Sequence, residues 1–407
     1  MGPDSTKGPV RWPYLLAGVV AMLFAGVIYA WSILKAPLGA EFGWSASDLA
    51  LNFTLTMCFF CLGGFLGGLL SKRTGPKVTV VLGGVLAGVG FVLTSLLSGG
   101  SVTVLYLTYG VMAGLGIGMA YVVTVSTVSA WFPDKKGFCS GCLMMGFGAS
   151  TLILGNLANA LMGTAMGWRG TYRLVGIALG VVVAAAGLII RLPAAGTVLP
   201  QPKAAKAAGR EAFEPRDFTT GEMVRRFTFW RAFLCLAFLG AVGNSVISFA
   251  RDLTMSVGAS ASLAAALVGV LSVCNGLGRI ITGAVFDAAG RRTTMLAASV
   301  VSIAAAGITL AAALLGSLPL CIVGLCLSGL SYGSSPTFSS AFTAAFYGSK
   351  YFSTNFSVMN FNLVVASLMA TASSALLTAF GGFAAPFVLL LALAVAGLAL
   401  NLSVKRP

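Results

Sequence analysis

Apolar runs long enough to cross a bilayer recur along the whole of this chain, and no other feature restricts its fold so strongly. A hydrocarbon core about 30 Å thick takes roughly 20 apolar residues as helix, because in lipid the backbone must satisfy its own hydrogen bonds. These runs are not the core of a soluble fold: 58% of the 407 residues are hydrophobic, 9% are charged, and the mean hydropathy is +0.96. Ordinary globular domains carry about 25% charged residues, and so few charges could not cover this much apolar surface. Barrel strands alternate apolar and polar residues, so the continuous runs also exclude a β-barrel.

Glycine, proline and charge divide the runs into spans near 13–36, 46–71, 77–98, 101–130, 137–163 and 170–192, and then 228–252, 260–287, 293–315, 318–346, 350–379 and 381–403. The expected fold is an all-α membrane protein of twelve transmembrane helices in two six-helix halves. Residues 1–192 form the N-terminal half, 193–227 a polar linker rich in Pro, Ala and charge, and 228–407 the C-terminal half.

A net charge of +15 would point to nucleic acid or an acidic surface in a soluble protein. Here the charges sit between the spans, and no nucleic-acid partner is expected. Of the 25 Lys and Arg, 20 fall on the side of the two termini and the linker, four on the other side (Lys35, Arg169, Arg173, Arg251), and one, Arg279, within the eighth span. Basic residues gather on the inner face. Both termini and the linker are therefore expected in the cytoplasm, with the chain a monomer in a bacterial inner (plasma) membrane.

Eight cysteines lie mostly in apolar stretches and there is no His, so a zinc site of mixed Cys and His ligands is impossible. The spacings Cys58/Cys61 and Cys139/Cys142 lack the loop context of a redox or metal motif and read as packing. No metal or cofactor is expected. The N-terminus lacks a signal-peptide arrangement, and Met1-Gly2 with Thr6 fits a myristoylation pattern only poorly because of Pro3.

Two turns repeat. Gly68-Leu69-Leu70-Ser71-Lys72-Arg73-Thr74-Gly75-Pro76-Lys77 follows the second span, and Gly283-Ala284-Val285-Phe286-Asp287-Ala288-Ala289-Gly290-Arg291-Arg292 follows the eighth. Each has two glycines seven apart and then basic residues, which internal duplication explains. The first Gly allows close helix packing and the second a sharp turn. On this pattern the chain resembles the major facilitator superfamily, whose corresponding loops carry G-x-x-x-D-x-x-G-R-K/R. The second copy fits, while the first has Lys72 in place of the Asp.

Three further segments narrow the resemblance to the oxalate/formate antiporter and monocarboxylate transporter branch. They are Trp131-Phe132-Pro133-Asp134-Lys135-Lys136-Gly137, Asp217-Phe218-Thr219-Thr220-Gly221-Glu222-Met223 and Asn275-Gly276-Leu277-Gly278-Arg279.

Arg279 carries the chemistry. Counted back from Asp287 it lies about 12 Å inside the span at 1.5 Å per residue, too deep to reach water by snorkelling. An arginine there costs about 2.5–3.5 kcal/mol on insertion scales and normally faces a cavity with an anionic or polar partner. Ser272, Asn275, Arg279 and Thr282 fall on one helical stripe, and no Asp or Glu lies deep in any span. The missing counter-ion is then a substrate carboxylate held by the guanidinium fork; the bland reading is an arginine bonded to carbonyls or a neighbouring helix.

Tyr29, Tyr121, Met144, Phe147, Tyr332 and Phe338 are further candidate substrate contacts, each able to serve as ordinary packing instead. The resemblance adds weight to Tyr29, Tyr121 and Tyr332, which match substrate-facing tyrosines of the oxalate-transporting members. Departures from those members also bear on substrate. Their second cation, a lysine, is replaced by Leu363, and aromatic positions become Ser328 and Asn360, the latter a candidate lining residue. Against the animal monocarboxylate transporters, Asn275 and Ile33 stand where an Asp and a Lys are usual.

These readings converge on a secondary transporter of a small monocarboxylate such as L-lactate or pyruvate, working by alternating access with proton symport. The proton would travel with the substrate or through Asp252. Carboxylate exchange of the oxalate/formate type is the alternative. An enzyme is not expected, since no Ser-His-Asp set, intramembrane carboxylate pair or nucleotide loop is present.

Overall fold

The computed structural model describes residues 10–99, 101–194, 196–200 and 216–405. Residues 201–215 of the expected linker, and the Met1-Gly2 pattern, lie outside them. Among the described residues every regular element is helical. Ten helices are long and apolar enough to cross a membrane. We number them α1 (Trp12–Phe42), α2 (Ala46–Thr94), α3 (Val102–Ser129), α4 (Pro133–Met162), α5 (Gly167–Ile189), α6 (Phe227–Ser256), α7 (Ala261–Leu315), α8 (Leu318–Tyr347), α9 (Phe352–Leu377) and α10 (Ala384–Ser403).

Two of the ten are too long for one crossing. At about 1.5 Å per residue the 49 residues of α2 and the 55 of α7 would run about 74 and 82 Å, more than twice the roughly 30 Å of hydrocarbon. Each is broken once. Gly75 (φ 83°) and Gly290 (φ 74°) take a left-handed conformation that a side chain would strain, and both are the second glycines of the repeated turn. A count of twelve spans rests on dividing α2 and α7 at these breaks.

The chain forms two compact units, Met1–Asp217 with Tyr347–Val358, and Phe218–Phe346 with Met359–Pro407. In the first, α1 is tied at both ends. Arg11, just before it, makes a two-pronged ion pair with Asp134, one prong at 2.8 Å, and this bonding raises the arginine's pKa. At the far end Glu41 accepts from Trp168 Nε1 (2.6 Å) and Arg169.

Helical pitch varies in this unit: Gly26–Ala30 of α1 is tightened to a 3-10 turn, while Tyr106–Ala113 of α3 and Thr151–Gly155 of α4 are widened to π-helical turns. In the second unit α10 packs along α6 and α7, and Val242, Phe249, Leu253, Leu271, Phe387 and Leu390 belong to one buried apolar cluster.

Two sequence segments prove to be helix-end devices. Trp131 stacks on Tyr14 and donates from Nε1 to the Arg191 carbonyl, closing one end of the first unit. Thr219 and Glu222 form a reciprocal capping box at the short helix Thr220–Val224.

Candidate functional site

In the second unit Arg279 is 2% exposed and belongs to the largest fully buried side chains. Its Nε donates to Asn275 Oδ1 at 3.3 Å, one turn earlier on α7, so a neutral amide helps fix the guanidinium. Thr282 completes a buried stripe on the same face, while Ser272 at its edge is half-buried. No Asp or Glu appears among the buried side chains of the described residues.

The neighbouring helix explains how this stripe is held. At Gly333 of α8 an added Cβ would stand 2.2 Å from the Asn275 carbonyl oxygen and 3.0 Å from the Arg279 nitrogen, so only glycine lets the two backbones approach here. One turn on, the Thr337 hydroxyl donates to the Arg279 carbonyl at 3.3 Å. α8 is unusually rich in buried hydroxyls: Ser328, Ser331, Ser334, Ser335, Thr337, Ser339, Ser340 and Thr343 are all buried. Those of Ser328 and Ser331 have no hydrogen-bond partner, which leaves them donors and acceptors for water or a small polar guest.

Tyr332 packs its ring on Gly243 of α6, and Phe338 stands edge-on to Phe286 at 5.5 Å. Asn360 is buried at the end of the first turns of α9, near Asn362, whose amide donates to Ser339 Oγ at 3.0 Å. Asp252 is exposed near the end of α6 and not buried with Arg279.

In the first unit the candidates form one aromatic cluster. The Tyr121 hydroxyl donates to Met144 Sδ, and its ring is 5.0 Å from both Phe147 and Phe60. Tyr29 meets Phe147 edge-on at 5.1 Å. Gly26, one turn earlier, makes this possible, since a Cβ there would collide with the Phe147 carbonyl at 2.1 Å. Phe356, within the segment that clusters with this unit, stacks on Tyr121 at 6.0 Å. Thus Tyr29, Tyr121, Met144 and Phe147 come together in one unit, and Arg279, Asn275, Tyr332, Phe338 and Asn360 lie in the other.

A sequence model described as Major Facilitator Superfamily matches residues 14–371. The chain belongs to the Major Facilitator Superfamily. Its fold agrees: over 98% of this chain and 97% of the other it superposes on the proton:xylose symporter XylE with a TM-score of 0.75 at 14% identity. This superfamily chain is 30% identical over 291 residues to the oxalate:formate antiporter of Oxalobacter formigenes, covering 70% of this chain and 65% of that protein. It is 27% identical over 305 residues to apicoplast pyruvate carrier 1 of Toxoplasma gondii, covering 62% and 56%. The match thus spans somewhat under two thirds of the length of each of these two relatives. All three are named for transport: an antiporter, a carrier and a symporter.

Sequence reasoning missed Gly333, Thr337, Phe60 and Phe356. The serine- and glycine-rich run 328–340 was the visible signal for the first two, because such runs mark close helix contact. Nothing along the chain announces which phenylalanines surround Tyr121.

Proposed function

We propose that this chain is a secondary active transporter that moves a small monocarboxylate, such as L-lactate or pyruvate, by alternating access with proton symport. The observation that carries this reading is the buried guanidinium of Arg279, with a neutral amide among its bonded neighbours and no Asp or Glu among the buried side chains of the described residues. A planar guanidinium fork binds a carboxylate through two parallel hydrogen bonds.

Asn275 would steady the fork. Tyr332, Phe338 and Asn360 complete the proposed contacts of this unit. Tyr29, Tyr121, Met144 and Phe147 enter the proposal through the sequence resemblance and through their joint cluster. Support also comes from relatives whose names state oxalate, formate and pyruvate. Leu363, half-buried, supplies no second cation, which favours one carboxylate over two.

The proposed setting is a bacterial inner membrane, with a monomeric chain and both termini cytoplasmic. The coupled proton would ride on the substrate or pass through Asp252. One observation favours a second reading, carboxylate exchange: without a buried Asp or Glu, the described interior has no acid to hold a proton in transit.

Uptake of labelled lactate and pyruvate into proteoliposomes separates the two. Symport requires stimulation by an inward proton gradient; exchange requires stimulation by internal anion and indifference to that gradient. Unlabelled monocarboxylates should compete, and oxalate poorly, because its second charge would lie uncompensated among apolar groups. Oxalate outcompeting every monocarboxylate would overturn the single-carboxylate reading.

A further inference from the structure

The second repeated turn leaves its two arginines outside the transport site, and they line a different feature of the second unit. A cavity of about 220 Å³ opens between the residues after Gly290 and the end of α10. Three of its lining side chains, Arg291, Arg292 and Lys405, are cations, and none is an acid. Its volume lies below the roughly 300–1,000 Å³ of pockets that take drug-sized ligands, which suits one charged headgroup.

The cavity is built rather than incidental. Three successive carbonyls at the end of α10 are each taken by a donor from another helix: Ser403 by Arg231 (2.9 Å), Val404 by Arg291 (3.3 Å) and Lys405 by Thr228 (3.0 Å). Arg291 also lies over the Phe346 ring at 5.2 Å. Beneath it Asn401 is buried, donating to Ser299 Oγ at 3.2 Å. Arg291 is therefore spoken for as a cap of α10, whereas Arg292 and Lys405 are exposed and in no ion pair among the described residues.

Apolar surface adjoins these cations. Leu402, in the cavity wall, is 63% exposed, and further along the same two helices Val395 and Val300 are exposed as well. A cationic pocket at the end of lipid-length apolar helices matches an amphiphile with an anionic head. We propose that this cavity binds the phosphate headgroup of an anionic phospholipid, with Arg292 and Lys405 pairing to the phosphate, Arg291 fixing the pocket, and the acyl chains lying along Leu402 and Val395. This site stands apart from Arg279 and does not depend on what the protein transports.

The test uses the purified full chain and compares retention of phosphatidylglycerol, phosphatidylcholine and inorganic phosphate by native mass spectrometry. The variant is Arg292→Gln with Lys405→Gln, two exposed positions that leave the caps on α10 in place; a thermal-unfolding scan verifies its fold. Native protein should retain phosphatidylglycerol over phosphatidylcholine. At about fivefold per basic charge near a membrane surface, the double variant should lose retention by about 30-fold. Equal retention of phosphatidylglycerol by native and variant protein would overturn the site. Displacement by inorganic phosphate with no preference for the lipid would overturn the lipid and leave a free phosphate as occupant.

Discussion

Arg279 is large and almost wholly buried, so the proposed function stands or falls with its side chain. Lysine keeps the charge but loses the fork, and Arg279→Lys should lower transport steeply while the protein still folds. Removing one partner of a desolvated charge pair costs about 2–5 kcal/mol, roughly 30- to 5,000-fold in affinity, so Arg279→Ala should abolish measurable binding. Asn275→Ala removes a neutral hydrogen bond and should cost about 0.5–1.5 kcal/mol. Binding measured on purified, monodisperse variants decides this; near-normal lactate or pyruvate binding by Arg279→Ala would make the arginine structural. The stripe of Asn275, Arg279 and Thr282 was legible in the sequence because helical periodicity is local. Gly333 was not, because its importance comes from a backbone on another helix. Gly333→Ala should lose about 1–3 kcal/mol of stability by overpacking, read as a fall in thermal unfolding temperature. An unchanged temperature would mean that α7 and α8 separate at little cost.

Among the elements, the first repeated turn shows how one substitution redirects a motif. Lys72, standing where the superfamily pattern has an Asp, donates to Thr354 Oγ1 at 3.2 Å and lies 4.8 Å from the Tyr351 ring. The start of α9 rests there on α2: at Gly68 a Cβ would come within 3.2 Å of the Ser353 backbone. An acidic residue would compete for the Thr354 hydroxyl proton, which is donated to the Tyr351 carbonyl at 3.0 Å, and its carboxylate would be repelled by the ring face. Lys72→Ala should therefore loosen residues 352–358 and raise their amide hydrogen-exchange rate, with little change elsewhere. Uniform protection across that segment would show that packing alone holds it. The turns themselves were readable from glycines seven apart, yet Lys72's partner was not, being 282 residues away along the chain.

For the molecule as a whole, hydropathy conveyed the class of fold without help from the structure, because membrane spans are written as continuous runs. Hydropathy also divides α2 at the charged turn, and the helix is broken there, at Gly75 just before Pro76. Orientation rests on the uneven distribution of Lys and Arg. A single cysteine placed at Lys206, in a cysteine-free background, should react with an impermeant reagent only from the cytoplasmic side. Labelling from outside intact cells would invert the topology and, with it, the proposed cytoplasmic position of both termini.

The widened turn Tyr106–Ala113 has a consequence for comparing this chain with others. A π-helical turn holds about one residue more than an α-helix of the same rise, and one residue is about 100° of rotation. Residues before and after it share no single helical wheel. With 102–105 held in place, a helix of uniform pitch would swing Tyr121 about 100° away from Met144 and Phe147. An ungapped alignment to a relative that lacks this turn will therefore match Tyr121 to a residue on another face, and a one-residue gap within 106–113 restores the correspondence.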